Sequence, residues 1–233
     1  SPEFNSRMEE QRYTRYIVEA GTKLRLDEQA ISKAAVFYHI FCSQTRASIE
    51  RYDLKLLIMA ALNLAAKVQE ISVKLAGYLS HRCFHPDVPF LEAGDFYWKL
   101  KDSVAKYELL LLRTLKFKLN IQLPHPYLLH YLVALSRWVD DAAWQRSSIS
   151  SLSWCILQDS FHTELCLSHA PYVIATAVLY LAVQCCKLDI PNTESKRMWW
   201  EVFAPDVGEL QLQLIGKTIL ELYDADYSTA CKT

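Results

Sequence analysis

The sequence predicts an all-α protein made of two similar helical bundles, and three observations carry that expectation. Only 5 of its 233 residues are Gly and 8 are Pro, a usage that favours long helices over many tight turns. Between Leu54 and Val68 only Lys55, Asn63 and Lys67 are polar. A helix with no broad polar face belongs in the middle of a bundle. Lastly, Ala60-Ala-Leu-Asn-Leu-Ala65 recurs as Ala177-Val-Leu-Tyr-Leu-Ala182, with Ala60, Leu62, Leu64 and Ala65 each meeting its own residue type. Internal duplication at this spacing predicts two similar helical bundles packed in tandem.

The elements are legible in order. Residues 1–8 read as an unstructured start whose Ser1-Pro2-Glu3-Phe4 looks like a cloning remnant. Tyr13, Tyr16, Ile17 and Ala20 follow a helical period, giving an N-terminal helix within 9–26 that Gly21 is placed to end. Asp27 then caps the next helix, with Leu26 and Ile31 as its hydrophobic staple. That helix carries Ala34-Ala-Val-Phe-Tyr-His-Ile-Phe41 and runs to about Arg46. Asp53 caps the central helix, with Tyr52 and Leu57 as the staple. A short helix over Ser72–Cys83 and a loop at His85-Pro-Asp-Val-Pro89 follow. A long helix spans Asp95 to Leu119, until Pro124 and Pro126 break the pattern and open Tyr127–Trp138.

The polar run Val139-Asp-Asp141 marks the boundary, so the first bundle is 27–140 and the second 141–224. The second comprises a helix over about Gln145–Glu164, the apolar helix Pro171–Cys186, a loop over Lys187–Lys196, a short helix anchored by Trp199-Trp200, and the last long helix, Val207–Tyr223. Residues 225–233 form a fraying tail.

Composition excludes several function classes. Hydrophobic residues at 52% and charged residues at 22% supply a core and argue against disorder. A net charge of −1 lacks the basic field that nucleic-acid binding needs. No apolar run reaches the roughly 20 residues of a membrane span. The 7 Cys show no CxxC pair and read as buried free thiols of a reducing compartment, nuclear or cytoplasmic. Cys83/His85 and His162/Cys166 lack further ligands at zinc spacing. No phosphate-binding glycine loop and no nucleophile elbow occurs. No catalytic residue, metal or cofactor is expected.

Two charges stand out. Lys67 ends the apolar central helix, and Glu108 interrupts Val104–Leu112. The residues alone leave two readings open. Lys67 can snorkel to solvent at its helix end while Glu108 lies on an exposed face. Alternatively, the two pair between adjacent helices and present donors and acceptors to a partner's backbone.

The chain resembles a cyclin with two cyclin boxes over about Glu9 to Tyr223. The resemblance rests on Ala34–Phe41, Leu64-Ala-Ala-Lys-Val-Gln-Glu70, and Tyr107-Glu108 running into Leu115-Lys-Phe-Lys-Leu119. Pro124–Val133, Trp144-Gln-Arg146, Leu165-Cys-Leu167 and Trp199-Trp200 are similar to the transcription-type branch, nearest the cyclin Q (cyclin M) subfamily. The resemblance implies tandem five-helix boxes after an N-terminal helix, and a non-catalytic subunit that activates a cyclin-dependent protein kinase, cyclin-dependent kinase ten in that subfamily. It further implies that Lys67 and Glu108 grip the kinase beside its mobile C-helix, with Leu64, Val68, Phe117 and Leu119 in apolar contact. In the second box Gln184 replaces the lysine and Ile215 the glutamate, so the first box alone holds the kinase. Gln69 and Ile40 depart from the usual glutamate and arginine, and no substrate-docking motif is recognisable near Tyr13–Ala20. A transcription-factor-IIB-like protein contacting DNA and polymerase, and a helical scaffold without a kinase, are the alternatives.

Overall fold

Helices supply all the regular structure in the residues that the computed structural model describes, 2–71, 94–190 and 197–230. The chain divides into two units, Ser1–Ile121 and Gln122–Thr233.

The first unit contains α1 (Pro2–Lys23), α2 (Glu28–Thr45), a 3-10 turn (Arg46–Arg51), α3 (Leu54–Val68) and α4 (Asp95–Thr114). As expected, α3 is its axis: α1, α2 and α4 all pack on it. Leu57, Ile58, Ala60, Ala61, Leu62 and Ala65 are completely buried. The alanines let neighbouring backbones approach on several sides. Asp53 caps α3 by accepting from the N–H groups of Lys55 and Leu56, and Asp27 caps α2 by accepting from that of Ala30.

In the first unit three boundaries differ from expectation, each for a local reason. First, α1 starts at Pro2, ahead of Glu9; proline is compatible with a first helical turn because its missing N–H would be unpaired there anyway. Gly21 does not end α1. Leu26 N–H donates to Gly21 C=O and Arg25 N–H to Thr22 C=O, a Schellman ending whose left-handed residue is Arg25, at φ 56°. Gly21 serves instead as a contact point, since a Cβ there would meet Ile31 Cγ1 of α2 at 2.5 Å. Similarly, α4 stops at Thr114, short of Leu119. Phe117 N–H donates to Leu112 C=O and Lys116 N–H to Arg113 C=O, with Lys116 and Phe117 left-handed at φ 52° and 58°.

The second unit contains α5 (His125–Ser136), α6 (Asp141–Arg146), α7 (Ile149–Ser160), α8 (Leu165–Ser168), α9 (Pro171–Cys186), a 3-10 turn (Trp199–Val202) and α10 (Glu209–Ala230). Here α9 is the axis, packed by α5, α7, α8 and α10. The duplicated segment is core in both copies, since Ala60, Leu62 and Ala65, like Ala177, Leu179 and Ala182, are wholly buried. The helix read over Gln145–Glu164 is two. Ser147 adopts extended backbone between α6 and α7 and donates its hydroxyl to Trp144 C=O at 2.7 Å, competing with helix continuation. The last helix continues past Asp224, where fraying was expected, to Ala230. The unit boundary at Ile121/Gln122 precedes the polar run Val139–Asp141, because α5 packs on α9 through a buried face of Leu128, Tyr131, Leu132 and Leu135. The expected helix Ser72–Cys83, the loop His85–Pro89, and residues 191–196 of the loop before Trp199 lie outside the described residues.

Candidate functional site

The charge that ends α3 meets the charge inside α4. Lys67 Nζ donates to Glu108 Oε1 at 3.0 Å and to Oε2 at 2.9 Å, a bidentate ion pair between the two helices. The partners are unequal: the lysine side chain is 59% exposed and the glutamate side chain 12%. Glu108 was expected on an exposed face if unpaired, and it lies instead on the buried stripe of α4, between Val104 and Leu111. Leu109, its neighbour, is 58% exposed, so this turn inverts the ordinary hydrophobic pattern. A carboxylate in that position needs donors, because burying it unpaired costs several kcal/mol.

A third group completes the set. Asn63, one turn before Lys67 on the same face of α3, donates through Nδ2 to Glu108 Oε1 at 2.5 Å. In the sequence Asn63 reads only as a break in an apolar run; its i, i+4 spacing to Lys67 is the available signal. One residue before Glu108, Tyr107 Oη accepts from the N–H of Asp53 at 2.8 Å, tying α4 to the start of α3 as well. The end of α3 is shaped by Glu70, left-handed at φ 58°, with Ile71 N–H donating to Ala66 C=O and Glu70 N–H to Lys67 C=O. This Schellman ending stops the helix just past Lys67 and leaves the ammonium at the surface.

The four expected apolar contacts fall into different environments. Leu64 is 5% exposed and belongs to the core of the unit. Val68 and Leu119 are half-buried. Phe117 is 68% exposed on a backbone conformation that bulky residues rarely adopt. Arrangements of that kind persist where surrounding structure enforces them and cluster at functional sites.

The duplicate site in the second unit is built differently. Gln184 and Ile215, exposed and buried respectively, form no ion pair. Tyr180, which follows from the Asn63 position by the repeat, donates to Glu209 Oε1 at 2.8 Å, and Gln213 Nε2 donates to the same oxygen at 3.3 Å. Glu209 meets no cation among the described residues.

Elsewhere, no cluster of metal-ligating side chains occurs among the described residues, and no described helix is long and apolar enough to cross a membrane. Cys42 is buried as expected, but Cys155 and Cys185 are exposed. Desolvation pushes the Cys166 thiol up to about 12, which leaves it protonated and a poor nucleophile. Cys83, His85 and Cys231 lie outside the described residues.

Comparison with known proteins also finds two domains, with the second match beginning at the polar run Val139–Asp141 and not at Gln122. The family described as cyclin, N-terminal domain, matches residues 1–120, and that described as Cyclin-T2-like, C-terminal domain, matches residues 139–222. The chain is 33% identical over 213 residues to Cyclin-K of Danio rerio, covering 90% of this chain and 48% of that protein. Cyclin-K of Homo sapiens is also 33% identical over 213 residues, with 35% of its length covered. Cyclin-T2 of Homo sapiens is 29% identical over 197 residues, with 25% covered. The chain thus spans about half, or less, of the length of these relatives. Among solved structures, a chain of the yeast RNA Pol II CTD kinase CTDK-1 complex matches with TM-score 0.67 at 15% identity, over 96% of this chain and 67% of that one. A chain of the CAK complex of Chaetomium thermophilum bound to ATP-gamma-S matches with TM-score 0.64 at 17% identity, over 94% and 63%. These likenesses establish the fold.

Proposed function

The chain belongs to the cyclin family, and from that premise we propose that it is the non-catalytic regulatory subunit of a cyclin-dependent protein kinase, with cyclin-dependent kinase ten as its partner. The single observation that carries this reading is the Lys67–Glu108 ion pair, held with Asn63 at the junction of α3 and α4 in the first unit only. An exposed ammonium beside a nearly buried carboxylate offers a donor and an acceptor on a rigid surface. Such a surface suits the backbone at one end of a kinase helix, because its ordering costs are met on folding.

Activation then works by conformational selection. The first unit, through Lys67 and Glu108 and through apolar contacts from Val68, Phe117 and Leu119, binds the kinase C-helix better in its inward position. In that position the kinase forms its own lysine–glutamate pair and assembles the ATP site. Leu64 supports the surface from within the core. The relatives named Cyclin-K and Cyclin-T2 favour a transcription-type role in the nucleus, and the cyclin Q subfamily is the finer assignment.

Co-expression with cyclin-dependent kinase ten, followed by affinity capture and phosphorylation of a histone-type substrate, tests the proposal. The wild-type chain should recover the kinase and stimulate it. Lys67→Glu should reduce recovery at least tenfold, because it removes the donor and sets two carboxylates together. A Lys67→Glu chain that captures the kinase as well as wild type overturns the assignment of the pair.

A further inference from the structure

Hydrogen-bond accounting at Glu108 gives Asn63 a role of its own. A carboxylate has about four lone-pair sites on its two oxygens. Oε1 accepts from both Asn63 Nδ2 and Lys67 Nζ, whereas Oε2 accepts from Lys67 alone among the described residues. With Lys67 as the only donor, the carboxylate would follow a long, mobile side chain that is 59% exposed. Asn63 is shorter, half-buried and fixed to the middle of α3, so its amide sets the plane of the carboxylate independently of Lys67. The repeat reinforces the point. At the corresponding position Tyr180 also donates to a carboxylate from the long helix of its own unit, Glu209.

From this geometry we infer that Asn63 is a positioning residue for partner recognition: it pins Oε1 of Glu108, so that Oε2 keeps a lone pair for a backbone N–H of the kinase while Lys67 Nζ keeps a proton for a backbone carbonyl. The inference rests on the proposed kinase-binding reading of the same pair. A second consequence concerns specificity. An amide at this position donates without adding charge, so the site presents a balanced donor–acceptor pair suited to main-chain groups and not to an ionised side chain.

The test is a double-mutant cycle in affinity for cyclin-dependent kinase ten, using the whole chain. Asn63→Leu keeps the branched shape and favours helix, while the loss of one donor to Glu108 lowers melting without unfolding the chain. Its kinase affinity should fall about tenfold, the size of one hydrogen bond to a charged group. On a Glu108→Ala background the same change should cost less than about twofold, because the group it positions is gone. That non-additivity separates positioning from a purely structural effect. Full additivity, or unchanged affinity in Asn63→Leu while Lys67→Glu abolishes binding, overturns the role of Asn63 alone. If Lys67→Glu and Glu108→Ala both leave affinity intact, the reading of the site itself falls and the inference with it.

Discussion

Glu108 and Leu109 exchange the places that hydrophobicity assigns them: the acid sits inside on 9% residue exposure, while the leucine faces out at 58%. Such an exchange is costly unless the carboxylate is bonded, which Asn63 and Lys67 accomplish. It also alters what substitution at Lys67 should do to stability. The sequence alone predicts little change in melting for Lys67→Glu, since an exposed last-turn lysine contributes little. With Glu108 buried beneath it, the new carboxylate meets an existing one, and some loss of stability accompanies the loss of binding. Phe117 invites a sharper experiment, because its ring and its backbone are separable. Phe117→Gly removes the ring but relieves a left-handed conformation that costs a side-chain-bearing residue about 1–2 kcal/mol. Melting should stay level or rise, while kinase affinity falls as it does for Phe117→Ala. If Phe117→Gly retains full affinity in a titration against the kinase, the exposed ring has no part in the interface.

At the scale of elements, the same helix ending recurs. α1, α3, α4 and α9 each end with a left-handed residue that is not glycine: Arg25, Glu70, Lys116 and Lys187. In α9 the bonds are Leu188 N–H to Val183 C=O and Lys187 N–H to Gln184 C=O, the Schellman pattern again. Glycine is the residue that this position favours; α1 and α4 close without it, so glycine and proline as stop signals mislocate both ends. The consequence is measurable. Lys187→Gly, far from Lys67 in sequence and in the other unit, should raise stability by about 0.5–1 kcal/mol, the left-handed penalty less the added chain entropy. A chemical-denaturation midpoint that moves downward would show that the lysine side chain stabilises this ending more than glycine's backbone freedom does.

For the whole molecule, the question is where the chain divides. The polar run at Val139–Asp141 looks like a linker, yet α5, which precedes it, packs on α9, its buried face of Leu128, Tyr131, Leu132 and Leu135 lying within the second unit. A fragment covering 122–233 should therefore fold with a cooperative thermal transition. One starting at Asp141 should lose the α5 side of the α9 packing and melt at lower temperature or non-cooperatively. Equal melting of the two fragments by circular dichroism would restore the boundary to the polar run.

The sequence by itself determined the all-α class, the duplication, the two central helices, both aspartate caps of the first unit and the prominence of Lys67 and Glu108. These are local or periodic properties: burial demands apolar faces at helical spacing, and an N-cap is written within four residues of its helix. Tertiary structure alone decided that Glu108 points inward, that Asn63 completes its shell, that Gly21 is a contact with Ile31, and that α5 belongs to the second unit. Each depends on which face of one helix meets another across a long stretch of chain. Periodicity identifies a face but does not say which neighbour will cover it, so a buried charge and its donors become visible only once α3 and α4 are packed together.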